Sequence, residues 1–267
     1  MNDAFGMGAR RFGRWNTIGL RTLVAREVRR FTSVWTQTLL APLVTAGLFL
    51  AVFALAIGPT RGEVMGVPFV EFLAPGILMM TVLQNAFANT SSSIMIAKVQ
   101  GNIVDTLMPP LSPAELVAGY ILGGVARGLL VAVTIGMVLV LALGHAIAYP
   151  LWALAFAALG GALLGGLGIA AAILAEKFDH MAAITNFLVV PLSFLSGTFY
   201  SIERLPAWMQ TVLHLNPVFY LIDGVRYGFI GVSDSSPWLG LAVCSAAAVA
   251  VLGLCWHWFR TGYRLKP

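Results

Sequence analysis

The feature that most constrains this chain is a series of apolar runs, each of about 20 residues, the length an α-helix needs to cross a hydrocarbon layer of roughly 30 Å. A membrane barrel would show short alternating segments instead. Six runs, at 35–57, 69–94, 113–143, 151–175, 182–200 and 237–259, predict six spans. Only 10% of the residues are charged, where a soluble domain carries about a quarter. The expected class is therefore an all-α integral membrane protein. Its parts are an N-terminal segment (1–34), a six-span domain (35–260) and a short tail (261–267). No cleavable signal peptide is expected, because the N-terminus stays basic too long and the first apolar run is too long.

The net charge of +5 could suggest nucleic acid, but its placement argues for a membrane. Arg10, Arg11, Arg14, Arg21, Arg26, Arg29 and Arg30 precede the first run, and Arg260, Arg264 and Lys266 follow the last. With both termini cytoplasmic, these ten plus Lys98 and Lys177 give twelve inside, against Arg61, Arg204 and Arg226 outside. That asymmetry predicts cytoplasmic termini and cytoplasmic loops at 95–112 and 176–181. The flanking basic residues are expected to touch membrane lipids.

Three segments outside the runs carry pattern. The first is the stretch before span one, where Leu20, Leu23, Val24, Val28 and Phe31 share one face at helical spacing and Thr22, Arg26, Arg29 and Arg30 share the other. This predicts an amphipathic helix in the headgroup plane, apolar side down. The bland alternative is a basic topology signal without fixed structure. In the second, between spans two and three, Ser112, Pro113 and Glu115 form a helix-start signature. Before it, Asn102 to Met108 can make a short helix stopped by Pro109-Pro110, with Ile103, Val104, Leu107 and Met108 on an apolar side. Spacing leaves two readings open, a docking knob for another protein or a loop packed on its own helices. The third is the 201–236 segment, long for a connection yet apolar. Pro206 and Trp208 open one short helix; Asn216 and Pro217 stop it and start another, on which Asp223 and Arg226 can pair. Both are too short to cross and are expected to dip into the outer leaflet, with Trp208, Tyr220, Tyr227 and Trp238 at the interface.

Catalytic chemistry is hard to find. Every lysine lacks the preceding glycine of a P-loop. His145, His180, His214 and His257 lack metal-ligand spacing. Ser91-Ser92-Ser93 has no His–Asp arrangement nearby and is expected to pack or cap span two. Cys244 and Cys255 lie about 16 Å apart along one helix and cannot bridge. Gly161 and Gly165 form a GxxxG pair, expected to serve packing within the chain, with a dimer seam as the alternative. Arg127 lies inside span three, where a charge is costly; Glu71 is its expected partner, and the pair is either structural or concerned with substrate. Arg61 and Glu63 read as solvated loop charges.

Phe72 to Ile77 (FLAPGI), Gly123 to Gly128 (GGVARG), Pro191 to Tyr200 (PLSFLSGTFY), Leu205-Pro206, Leu215 to Val218 and Gly224 to Gly228 (GVRYG) occur in order on six spans. In this the chain resembles the ABC-2 family of transporter permeases over essentially its whole length, and within it the Gram-negative inner-membrane permeases of the Yad type. The resemblance implies a type V exporter-like fold with an interfacial N-terminal helix, a cytoplasmic coupling helix and re-entrant outer helices. It also implies two permease protomers, expected as a homodimer, with two separate ATPase subunits. ATP and Mg would be bound by those subunits and no cofactor by this chain. The stretch Gly101, Asn102, Ile103, Val104, Asp105, Thr106, Leu107 and Met108 would touch the ATPase, with 176–181 as a minor contact. The function implied is outward movement of an amphiphilic, drug-like or lipid-linked substrate. A membrane scaffold or sensor that recruits an ATPase, or a secondary transporter, are the alternatives.

Overall fold

The computed structural model describes residues 15–144, 146–202 and 205–265. Arg10, Arg11, Arg14, His145, Arg204 and Lys266 lie outside the described residues. The chain opens with α1 (Thr17–Thr32), a π-helical turn (Thr36–Leu40) running into α2 (Ala41–Ala56), and α3 (Gly58–Arg61). A hairpin of β1 (Glu63–Val64) and β2 (Val67–Pro68) follows, then α4 (Phe69–Val99), α5 (Ile103–Leu107), α6 (Pro113–Leu143) and α7 (Pro150–Leu174). Next come α8 (Phe178–Ile184), a second π-helical turn (Thr185–Val189) and α9 (Val190–Leu195). The chain ends with α10 (Ala207–His214), α11 (Pro217–Ile230) and α12 (Pro237–Thr261).

Among the described residues, six helices are long and apolar enough to cross a membrane. They are Thr36–Ala56, Phe69–Val99, Pro113–Leu143, Pro150–Leu174, Phe178–Leu195 and Pro237–Thr261. The largest shift from expectation is in span five, which starts at Phe178, so most of the loop expected at 176–181 is already helix. The second and fourth spans form the hub: 78% and 72% of their most apolar windows are buried, against 11% and 17% for the first and fifth. The expected GxxxG on α7 packs inside the chain. A Cβ on Gly161 would sit 3.1 Å from Val125 Cα, and one on Gly165 would sit 3.4 Å from Ile121 Cδ1.

Both π turns have one cause. Each ends two residues before a proline, Pro42 in the first case and Pro191 in the second. A proline inside a helix removes an N–H and drives its ring into the carbonyl four residues back. Widening the preceding turn relieves that clash and keeps the span continuous. The hairpin was not expected. Its two turn residues, Met65 and Gly66, have φ of 56° and 78°, as a type I′ turn requires. Arg61 stays partly exposed, with its guanidinium 5.2 Å from the Phe69 ring centroid.

Lys98 does more than set topology. Its Nζ donates to the carbonyls of Ala172 (3.0 Å), Ile173 (2.8 Å) and Ala175 (2.8 Å), closing the end of α7 where helix carbonyls have no partners of their own. Lys98→Met should therefore lower the thermal midpoint of the purified protein in detergent, by about 1–3 kcal/mol for buried carbonyls left unpaired. A midpoint equal to the parent's would rule out this role.

Candidate functional site

The residues marked out by sequence gather at two opposite ends of the bundle. At the first, α1 begins at Asn16, whose Oδ1 accepts from Gly19 N at 2.9 Å. The Asn16 N–H donates to the Glu115 carboxylate, and its Nδ2 donates to the Pro110 carbonyl at 3.1 Å. Glu115 also closes the expected capping box, accepting from Ser112 N at 2.7 Å while its own N–H donates to Ser112 Oγ at 3.3 Å. One carboxylate thus ties the start of α6 to the start of α1.

Beyond the cap, α1 buries Leu23, Glu27 and Phe31. The groove that receives them is a glycine row on α6. A Cβ on Gly119 would fall 2.4 Å from Leu23 Cδ2, and one on Gly123 would fall 2.6 Å from Glu27 Cβ. Glu27 is fully buried. It accepts from Ser93 Oγ at 2.7 Å and from Arg26 and Arg30, each at 3.2 Å. Arg26 reaches on to Thr106 Oγ1 (3.1 Å) and Tyr120 Oη (3.3 Å). Arg30 donates to Ser92 Oγ (3.0 Å), the Asn89 carbonyl (2.6 Å) and Asn89 Oδ1 (3.0 Å).

The expected water face of α1 is corrected at Arg30 alone. Thr22, Arg26 and Arg29 stay exposed, Arg26 with 47% of its side chain free even as its guanidinium reaches Glu27, whereas Arg30 is half-buried; Leu20, Val24 and Val28 are half-buried. A buried carboxylate is tolerable only when paired and hydrogen-bonded, so the flanking arginines fold over it. Sequence alone does not single out Glu27, because charge is read as solvent-facing. Its signal is a carboxylate four residues from both Leu23 and Phe31, flanked by arginines at −1 and +3.

The short helix expected at 102–108 is α5. Its inner side holds Ile103 and Thr106, with Leu107 half-buried. Gly101, Asn102, Val104, Asp105 and Met108 are exposed, Val104 by 45% and Met108 by 76%. The expectation that Ile103 and Leu107 share the free apolar face is thus corrected: that face is Val104 and Met108, one turn apart. One side of α5 packs on the chain's own helices and the other faces out.

Arg127 does not pair with Glu71. Its Nε and Nη2 donate to Asn85 Oδ1 at 3.2 and 3.0 Å. Residue 85 lies fourteen positions from Glu71 on the same helix, about 21 Å at 1.5 Å per residue. Glu71 instead borders a small groove with Leu139, Leu143, Ile147 and Phe229.

The second end gathers four of the quoted motifs around Arg226, which is fully buried on α11. Its guanidinium carbon lies 4.0 Å from the Phe72 ring centroid. Nη2 donates to the Gly197 carbonyl at 2.6 Å, and Nη1 lies 3.4 Å from Asp223 and 3.5 Å from Asp234. Asp223 also accepts from the N–H groups of Asp234 (2.8 Å) and Ser235 (2.9 Å). Asn216 caps α11 as expected, accepting from Val218 N at 2.9 Å and donating to Ser196 Oγ at 2.8 Å. A Cβ on Gly76 would lie 2.6 Å from the Thr198 carbonyl oxygen, so glycine there is what lets the 196–199 segment lie against α4.

The two short helices differ more than sequence suggested. Helix α10, preceded by Pro206, carries Trp208 at 68% exposure, while α11 buries ten of its fourteen residues. Tyr220, expected at the interface, is buried and donates to the His214 carbonyl at 3.1 Å. Tyr227 is half-buried and stacks on Tyr149, and Trp238 is 70% exposed. Cys244 and Cys255 are buried and unbridged. Among the described residues, no group of three or more His, Cys, Asp or Glu side chains could hold a metal ion. What both ends offer is clamping of helices and, on α5, an exposed apolar face.

The family model for ABC-2 type transporters matches residues 19–230. The inner membrane transport permease YadH of Escherichia coli (strain K12) is 34% identical over 249 residues, which is 93% of this chain and 97% of that protein. Nodulation protein J of Rhizobium leguminosarum bv. trifolii is 27% identical over 76% of this chain and 79% of its own. Nodulation protein J of Neorhizobium galegae is 25% identical over 85% and 88%.

Proposed function

The chain belongs to the ABC-2 type transporter family, and on that premise we propose that it is the membrane subunit of an ATP-driven exporter in the inner membrane. The α1–α5 end faces the cytoplasm, a placement supported by the twelve-to-three bias of basic residues. Two copies of the chain pair with two copies of a separate ABC ATPase, which binds ATP and Mg. The poorly buried first and fifth spans leave apolar surface for the second copy. The cargo is amphiphilic, drug-like or lipid-linked, in keeping with the apolar lining of the cavity bordered by Leu78, Val133, Met137, Leu154 and Phe229.

The observation that carries this reading is the outward face of α5. Val104 and Met108 project from a helix whose other side is anchored by Ile103 and by the Arg26–Thr106 hydrogen bond. An exposed apolar pair on a fixed helix suits a groove on a partner. Val104→Asp and Met108→Asp should each weaken ATPase co-purification about tenfold, the loss typical of a central interface residue. Hydrolysis in the complex should also lose its response to the permease. Ile103→Asp is the wrong test, because Ile103 is core. Undiminished co-purification and hydrolysis in both variants would sink the docking claim. An ATPase that docks with no substrate moved would point to a scaffold, and transport driven by a proton gradient without ATP to a secondary transporter.

A further inference from the structure

Along α4, every residue from Phe72 to Met95 is buried except Gln84, Ala88 and Ser92, which follow one another at one-turn spacing on one face. A face turned to hydrocarbon would carry large apolar groups, as α2 does at Leu48, Val52 and Leu55, because an amide or hydroxyl is costly to desolvate there. Bordering this polar face through Asn85 is Arg127, near the midpoint of α6 as Asn85 is near the midpoint of α4. Asn85 Nδ2 donates to the Thr81 carbonyl at 3.0 Å, which leaves its Oδ1 to hold Arg127 Nε and Nη2. Arg127 is half-buried. Its Nη1 makes no hydrogen bond among the described residues, yet the chain does not enclose it. One turn towards α5, Asn89 is held by Arg30, which also reaches Ser92 and is paired with Glu27. Arg127 has no such carboxylate among the described residues.

A cation in the middle of a span is costly unless it meets a counter-ion, a partner or water. Among the described residues, every carboxylate other than the paired Glu27, Asp223 and Asp234 lies between spans or within their first three residues, as Glu71, Glu115 and Asp179 do. A second copy related by a two-fold axis along the membrane normal keeps the same depths, so these carboxylates cannot reach Arg127 from there either. We propose that Arg127 and the open face of α4 bind the phosphate of an anionic amphiphile, and that this amphiphile is the cargo, a step that rests on the exporter reading above. The guanidinium fork matches phosphate oxygens. Asn85, itself fixed on Thr81, holds the fork in place without cancelling its charge. Ala88 leaves room beside it. An amphiphile rather than free phosphate is indicated by the depth of the site. Leu130, three residues along α6 and 37% exposed, also offers a tail an apolar surface.

The test offers dodecyl phosphate and dodecyltrimethylammonium at equal concentration to the full chain in a neutral maltoside detergent, and reads retained amphiphile by native mass spectrometry. The parent should keep dodecyl phosphate in preference. Arg127→Gln should lower that retention about tenfold, the loss expected of one charge-assisted contact, while Arg260→Gln, far along α12, should not. Ala88→Phe fills the open face without touching a charge and should lower retention as well. Because Ala88 is exposed, this variant should fold even where Arg127→Gln does not accumulate. Equal retention of the two amphiphiles by the parent, or dodecyl phosphate retention unmoved in either variant, overturns the proposal. Displacement of all bound dodecyl phosphate by millimolar inorganic phosphate makes this a free-anion site and overturns the amphiphile. Hydrolysis by the complex with its ATPase, in phosphatidylcholine nanodiscs, separates the site from the exporter reading. Dodecyl phosphate should raise hydrolysis in the parent and not in Arg127→Gln. If it is retained through Arg127 while hydrolysis ignores it and every other amphiphile, the phosphate site stands and the exporter reading fails. If dodecyltrimethylammonium raises hydrolysis equally in the parent and in Arg127→Gln while dodecyl phosphate does not, the exporter reading stands and the anionic cargo is wrong.

Discussion

Arg226→Ala should leave a protein that melts far earlier in detergent than the parent, or fails to accumulate. The residue is fully buried, pairs with Asp223 on its own helix, and ties α11 to Phe72 on α4, Gly197 in the turn after α9, and Asp234 beyond the end of α11. Removing it strands two buried carboxylates, and breaking a buried pair from one side costs roughly 3–5 kcal/mol. Arg226→Lys should recover little, because a single ammonium cannot stack on Phe72 and serve three acceptors in the plane of a guanidinium. Arg226→Met combined with Asp223→Asn should do better than Arg226→Ala, since it removes a stranded charge and refills the volume. Fluorescence-detected melting of the three variants provides the check. Equal midpoints for Arg226→Ala and the parent would show that the α11 end is held by packing alone.

The spans were legible because burial in a membrane writes itself as uninterrupted hydropathy. Their interiors were not, and the reason is the same. In a chain where nearly everything is apolar, periodicity no longer separates a helix's inner face from its outer one. The exceptions were small or polar residues. Gly161 and Gly165 correctly announced packing, Ser112 and Glu115 a helix start, and Asn216 and Pro217 another. Pro42 and Pro191 are equally visible and each follows a π turn, but Pro75 sits inside α4 without one, so a proline in a span does not by itself forecast the turn. Tyr220 was misplaced because an amphipathic ring suits either an interface or a core with one carbonyl to spare, and sequence does not supply the carbonyl. Pairings failed for a geometric reason. Arg127 and Glu71 are opposite charges in adjacent spans, but Arg127 lies level with Asn85, fourteen residues along α4 from Glu71.

In sequence the α1–α5 end is two separate features, an amphipathic helix and a short loop helix, and Glu27 is what makes them one. Glu27→Gln keeps the shape and one acceptor but removes the charge shared by Arg26 and Arg30. Charge-assisted hydrogen bonds of this kind contribute about 1.5–3 kcal/mol each, so the amides of α1 should exchange hydrogen markedly faster. Because Arg26 also holds Thr106, α5 should loosen along with α1. Helix α11, at the opposite end, should keep its protection. Thr106→Val offers the matched control: it deletes only the last link, at about 0.5–1.5 kcal/mol, and should free α5 while leaving α1 protected. Hydrogen exchange on the two variants therefore separates the steps of the chain. If Glu27→Gln frees α1 and leaves α5 unchanged, the two helices are neighbours and not a unit. Where both loosen, the proposed ATPase contact on α5 would be mechanically joined to the bundle through one buried carboxylate. Glu27→Gln should then let the ATPase dock and hydrolyse ATP while transport per ATP falls.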